Sequence, residues 1–162
     1  MLLELLLNTP LYVYWIFFSL LFVGLSQTKT RHVGLKRAVI IPFILIIASV
    51  YAIIHDFGIS LFSTTIWIAG IVFVAALNKV VQNQREVIYI KEKKLFTIGG
   101  SFLPLFMMML LFFTKYTVGV INANEMPLLH TSLFIAVVSL LYGVFSGMYL
   151  IRFVVLIQKI KN

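Results

Sequence analysis

The sequence predicts an all-α membrane protein of five transmembrane helices, N-terminus outside and C-terminus cytoplasmic, as a single integral-membrane domain over 1–162. Three observations predict it. Hydrophobic residues make up 62% of the chain and charged residues only 11%, more apolar surface than a soluble domain of this size could hide. Five stretches, about 10–26, 38–54, 60–78, 101–122 and 128–156, qualify as the roughly 20 mostly apolar residues that cross a bilayer. Twelve of the 13 basic residues fall in the first loop (Lys29, Arg31, Lys36, Arg37), the third (Lys79, Arg85, Lys91, Lys93, Lys94) and the C-terminal end (Arg152, Lys159, Lys161). With five helices these regions share one side, which the positive-inside rule makes cytoplasmic.

Residues 1–7 carry Glu4, no basic lead and no small-x-small cleavage site, so the first hydrophobic stretch reads as part of the mature protein. Asn8 or Thr9 would cap the first helix and Pro10 would sit in its first turn, with Tyr12, Tyr14 and Trp15 at a membrane interface. The second helix would carry Pro42 in its first turns, where proline is tolerated, and end at His55-Asp56. In "EVIYIKEKKLFTIGG" two β-rich runs, 87–90 and 95–98, flank a charged turn and precede a Gly-Gly break. This predicts a short cytoplasmic hairpin between helices three and four, supported by the helices or headgroups because an isolated hairpin is marginal in water.

The fourth helix contains the one basic residue that breaks the charge rule. Lys115 stands between Leu110-Leu111-Phe112-Phe113 and Val118, and the helix must run past it to span a bilayer. An ammonium at that depth costs about 2–3 kcal/mol unless it is paired or wetted. Helical spacing puts Lys115, Gly119 and Asn122 on one face, expected to point into the bundle. Candidate partners are Asp56, Glu125 and Glu4, with His55, His130 and Tyr116 as hydrogen-bonding neighbours; Asp56 is preferred because it ends helix two at a similar depth. Two readings stand. Lys115 is either an ion-paired, snorkelling structural lysine or the centre of an anion or proton site.

The fifth helix places Ser132, Ala136, Ser139, Gly143 and Gly147 at steps of three or four, a small-residue face suited to close helix packing within the bundle or between two copies. Arg31, Arg37 and Arg152 read as lipid-interface anchors. The chain has no cysteine, its histidines lack metal-ligand spacing, and it contains no phosphate-binding glycine loop or nucleophile elbow. No metal or cofactor is therefore expected, and no nucleic-acid partner, because the basic residues are dispersed at helix ends. Expected partners are anionic headgroups, and another membrane protein or a second copy.

"GGSFLPLFMMMLLFFTKYTVGV" followed by "LLYGVFSGMYLIRFVVL" resembles a family of small bacterial inner-membrane proteins to which no activity is attached, on Gly100, Ser101, Pro104, Leu105, Lys115, Tyr116, Tyr142, Gly143, Ser146, Gly147 and Arg152. More distantly, "IYIKEKKLF" before a helix ending in "KY" is similar to CcdC-like proteins linked to cytochrome c biogenesis, whose thiol role could not carry over to a chain without cysteine. The resemblance implies a multi-pass protein of the bacterial inner membrane. The residues favour a non-enzymatic binding or transport component with an outer-facing polar pocket formed by Lys115, Tyr116, Asn122, Asp56, His55, Glu125 and His130. The alternative is a structural or accessory subunit docking a partner through the Ser139–Gly143–Gly147 face of helix five.

Overall fold

The computed structural model describes residues 9–77, 87–90 and 95–161; side chains at 35–39, 41, 87–90 and 159–161 stand outside that description. Five helices dominate the described residues: α1 (Leu11–Ser26), α2 (Leu35–Phe57), α3 (Leu61–Ala76), α4 (Leu103–Ala123) and α5 (Ser132–Lys161). A 3₁₀ turn, Pro127–His130, leads into α5. Two of the five, α4 and α5, are long and apolar enough to cross a membrane, whereas 11–26, 42–57 and 61–76 are shorter apolar stretches.

Local chemistry sets the helix ends. Pro10 lies just before α1, and its carbonyl accepts the Val13 amide at 3.0 Å. Gly58, at φ 68°, closes α2 in a left-handed conformation that glycine reaches without strain, and its amide donates to Ile54 O at 2.9 Å. After α4, Glu125 takes φ 49° and the Met126 amide reaches Ile121 O at 3.1 Å, the six-to-one bond of a Schellman cap. Two boundaries differ from the sequence reading. α2 begins directly after a strand, so Pro42 sits inside it, buried, and not in its first turns. It also continues through Phe57, which keeps His55 and Asp56 helical.

α5 is the spine. α2 and α3 pack along it, and on its α3 side the backbones touch. A Cβ on Gly143 would run into the Trp67 carbonyl oxygen and come within 3.1 Å of Gly70 Cα; one on Gly70 would lie 2.8 Å from Leu140 O. Gly147 faces Ile71 and Val74 at 3.1 Å. The small-residue face, with Ser139 also buried, is thus filled within the chain by α3. α1 lies against α4, where Gly24 meets Leu105 and Phe17 packs on Phe112 at 5.2 Å between ring centres. These two helices join the other three through a cluster of Ala52, Ile53, Val118, Val138 and Tyr142.

The sheet has three strands, one more than the expected hairpin. β1 (Arg31–Gly34), β2 (Val87–Ile90) and β3 (Leu95–Ile98) stand in the order β1-β3-β2, with β3 antiparallel to both. Ile98 pairs with Arg31 on one side and Val87 on the other. The hairpin's turn lies outside the described residues. β1 escaped the sequence reading because "RHVG" is short and shows no alternating apolar pattern. Phe96 and Ile98 of β3 are buried on one face, giving the sheet the apolar support that a lone hairpin lacks.

The glycine contacts make a testable contrast. Gly143→Ala should destabilise the folded protein by about 1–3 kcal/mol through overpacking. Gly119→Ala, where no atom lies within 4 Å of the added carbon, should be neutral or stabilising by up to about 1 kcal/mol from helix propensity. Thermal midpoints of the two variants in detergent check both.

Candidate functional site

At the end of the bundle away from the sheet, three helices converge on one carboxylate. Asp56, near the end of α2, has a side chain only 5% exposed. Lys115 of α4 donates to both of its oxygens, 2.8 Å to Oδ1 and 2.9 Å to Oδ2. Tyr142 of α5 donates its hydroxyl to Oδ2 at 2.8 Å. His55 Nδ1 lies 3.2 Å from Oδ1 with its own side chain 60% exposed. The Lys115 ammonium also sits 5.9 Å from the centre of the Tyr142 ring, within reach of a cation–π attraction. Asp56 and Lys115 therefore meet as the sequence suggested they could.

Burial explains why all these donors are needed. A carboxylate withdrawn from water is costly unless opposite charge and hydrogen bonds replace the solvent. Lys115 supplies the charge, and Tyr142, itself fully buried, supplies a neutral donor. The lysine side chain is 38% exposed, so charge enters from the rim on a long aliphatic stem. On α4 the buried residues are Pro104, Met108, Thr114, Val118 and Ile121, and Lys115 flanks that stripe. Gly119 and Asn122, expected to share its inward face, are both exposed. Helical spacing correctly grouped the three; the reach of the lysine, not the direction of that face, carries its charge inward.

The other expected ligand residues make different contacts or lie at the surface. Tyr116 shares a 2.8 Å hydrogen bond with Thr9, and stacks on Phe112. Glu125 and His130 are exposed, the former serving in the cap after α4. Glu4 lies outside the described residues. Sequence reading did not assign Tyr142 to this site, although a phenol in a largely apolar helix needs a polar partner, which was the available signal.

A second polar cluster occupies the sheet end. Gln27, 6% exposed, accepts at Oε1 from Arg31 Nη2 at 3.1 Å and from Arg152 Nη1 at 3.3 Å. Its Nε2 faces Met108 Sδ at 3.9 Å, and its backbone carbonyl accepts the Ser101 amide at 3.0 Å. Arg31 and Arg152, read from sequence as separate interfacial anchors, thus meet at one atom; the side chain of Arg37 lies outside the description. No cluster of three or more potential metal ligands occurs among the described residues.

A family model described as a family of unknown function, DUF6622, matches residues 1–162. The chain belongs to that family. No curated protein and no solved structure matches it. Membership in DUF6622 agrees with the resemblance to a family without assigned activity, and it brings no membrane assignment and no link to CcdC-like proteins.

The three-helix site predicts a coupled energetic pattern. Lys115→Met strands Asp56 and should cost about 2–3 kcal/mol, less than a fully dry pair because the lysine is partly solvated. Asp56→Asn should cost a similar amount. The double variant should be more stable than either single change would suggest by addition, with a coupling of at least about 1 kcal/mol in a thermal or denaturant cycle. Additive losses would contradict the pairing.

Proposed function

We propose that this chain is a small non-enzymatic membrane component, a binding or transport protein that responds to protons through the Asp56–Lys115 pair. The carrying observation is a nearly sealed carboxylate whose two oxygens are held by one ammonium, with an exposed histidine in contact. His55 offers a proton route between solvent and Asp56, and protonating Asp56 would remove the charge that draws Lys115 to α2. Loss of the pair would free α4 at that end, coupling a proton to a change in helix packing.

A membrane setting is supported by what faces outward. Phe18, Phe22, Phe43, Phe62, Phe73 and Phe106 are exposed, whereas Ser49, Ser63, Ser139 and Ser146 are buried. α4, apolar apart from Lys115 and a few neutral polar residues, buries only 22% of its most apolar stretch, far less than the core helix of a soluble protein would. The reading is of five spans in a bacterial inner membrane. α1 and α3, at 16 residues each, would rise about 24 Å and be matched by local thinning and snorkelling residues. The charge bias places the sheet and C-terminus inside, and the Asp56 site toward the outer face.

One further observation favours an anionic ligand as a second reading. An ammonium has three donors, and Asp56 occupies two of them, so a carboxylate or phosphate entering from outside could take the third. The accessory-subunit reading is weakened because α3 occupies the face of α5 through which a partner was to dock.

The test is proton entry into liposomes containing the full chain and a trapped pH-sensitive dye, driven by a potassium diffusion potential. Entry should exceed that of empty vesicles, fall to background in Asp56→Asn and Lys115→Met, and slow several-fold, roughly, in His55→Ala. Wild-type flux equal to empty vesicles would defeat the proton reading. Separately, a reporter fused after Asn162 should be active only in the cytoplasm.

A further inference from the structure

We infer that the end of the bundle away from the sheet binds a singly charged carboxylate between Lys115 and His55, and that His55 takes up one proton as the anion arrives. This deepens the anion reading of the Asp56–Lys115 site, on which it rests, by adding a second donor, a ligand class and a stoichiometry. Lys115 Nζ and His55 Nδ1 both contact one carboxylate oxygen, Oδ1 of Asp56, at 2.8 and 3.2 Å. The ammonium has a third donor beyond the two that it gives to Asp56. The imidazole has a second nitrogen, Nε2, on another edge of its ring. The lysine side chain is 38% exposed and the histidine 60%, beside an acid that is only 5% exposed. An anion arriving from outside therefore meets these two donors before it meets Asp56.

The proton follows from what an imidazole can donate. A neutral ring carries one N–H and one lone pair, and only the imidazolium donates from both nitrogens. Nδ1 already faces an acceptor, Asp56 Oδ1. A carboxylate at Nε2 would put an acceptor at the other nitrogen as well, so either neutral tautomer would turn a lone pair toward a negative oxygen. The proton adds from solvent to the nitrogen that lacks one, and no bond of the ligand breaks. Charge runs the same way. Asp56 and Lys115 cancel, the ligand adds one negative charge, and the proton on His55 balances it. A carboxylate fits that count, whereas a phosphate monoester carries about 1.5–2 charges near pH 7. The groups facing His55 are Asp56 and Tyr51 on α2 and Lys115 from α4, while Tyr142 of α5 holds the other oxygen of Asp56. Lys115 opposes a second positive charge so near, and the charge of the arriving anion is what secures the proton. The Tyr51 ring, 5.7 Å from that of His55 between centres, offers a π face that attracts a cation. Glu125 and His130 are exposed on the connection between α4 and α5.

The test is isothermal titration of the full chain in a neutral detergent with propionate and with decanoate, at about pH 8, above the range in which a free imidazole titrates. Each titration is run in two buffers of different ionisation enthalpy, so that the difference in heat counts protons drawn from the buffer. Both acids are ionised there and bring none. Saturable binding should take up about 0.5–1 proton per anion and should tighten as the pH is lowered toward about 6.5, because the complex holds the extra proton. Propionate binding assigns a small acid from water. Saturation by decanoate alone, beyond its partition into protein-free micelles, assigns a fatty acid from the bilayer. His55→Gln should weaken binding roughly tenfold and abolish the uptake. His55→Arg, cationic throughout, should bind within about threefold of wild type and take up no proton. His130→Gln should leave both quantities unchanged. Failure of both acids to bind, wild-type binding without proton uptake, tighter binding of inorganic phosphate than of either acid, or uptake that survives His55→Arg would overturn the inference. Proton entry into liposomes without added carboxylate tests the proton reading separately: absent flux with binding intact defeats that reading alone, and absent binding with flux intact defeats this inference alone.

Discussion

A carboxylate that is 5% exposed has to be answered from several directions, and Asp56 is answered by two other helices at once. The ammonium of Lys115 and the hydroxyl of Tyr142 reach it from α4 and α5, while Asp56 itself belongs to α2. Hydrogen bonds to a charged acceptor are directional and about twice as strong as neutral ones. They therefore fix rotation and depth in helices whose apolar surfaces alone would permit sliding. The Ala52, Ile53, Val118 and Val138 cluster lies on the same three helices and includes Tyr142, so the apolar packing and the polar contact depend on one register.

Tyr142 occupies a crowded position because Gly143 follows it. The glycine brings α5 against the Trp67 carbonyl of α3 on one side, and the tyrosine turns its ring toward α2 and α4 on another. A larger residue at 143 would lift α5 away from α3 and displace the phenol from Asp56. Ser139 and Ser146 fit the same need for small volume. Both are buried on α5, and their hydroxyls find no hydrogen-bond partner among the described residues, so small volume and not polarity is what suits them to this packing.

Much of this was legible in the sequence, for identifiable reasons. Apolar runs bounded by Gly58, Ser60 and the Gly99-Gly100 break located the helices to within a turn or so, since those breaks interrupt hydrogen-bonding patterns locally. The strands 87–90 and 95–98 showed in β-branched and aromatic runs, and β1 did not, because its place is set by pairing with β3 rather than by its own residues. The Lys115–Asp56 pair could be inferred from cost together with depth, since Asp56 ends helix two near the level of Lys115. An isolated ammonium in apolar surroundings requires a partner, and few acids were available. Tyr142 as a third member, and Arg31 meeting Arg152 at Gln27, depend on how distant elements pack, which no local periodicity encodes.

The two polar clusters also explain how the α1–α4 pair is held to the other helices. α4 buries little of its length, and between the ends its attachment relies on Val118 in the shared apolar cluster. Apolar contact of that kind resists separation but sets orientation weakly, because many rotations bury similar area. Orientation is set at the ends. At the sheet end, Gln27 engages Arg152 through its side chain and the start of α4 through the Ser101 amide; at the other, Lys115 engages Asp56. The first attachment uses a neutral acceptor and a backbone bond, which ordinary changes in pH leave intact. The second uses a carboxylate held by an ammonium and a phenol. A bundle pinned at one end by an ion pair and at the other by neutral and backbone bonds has its α4 register set from both ends.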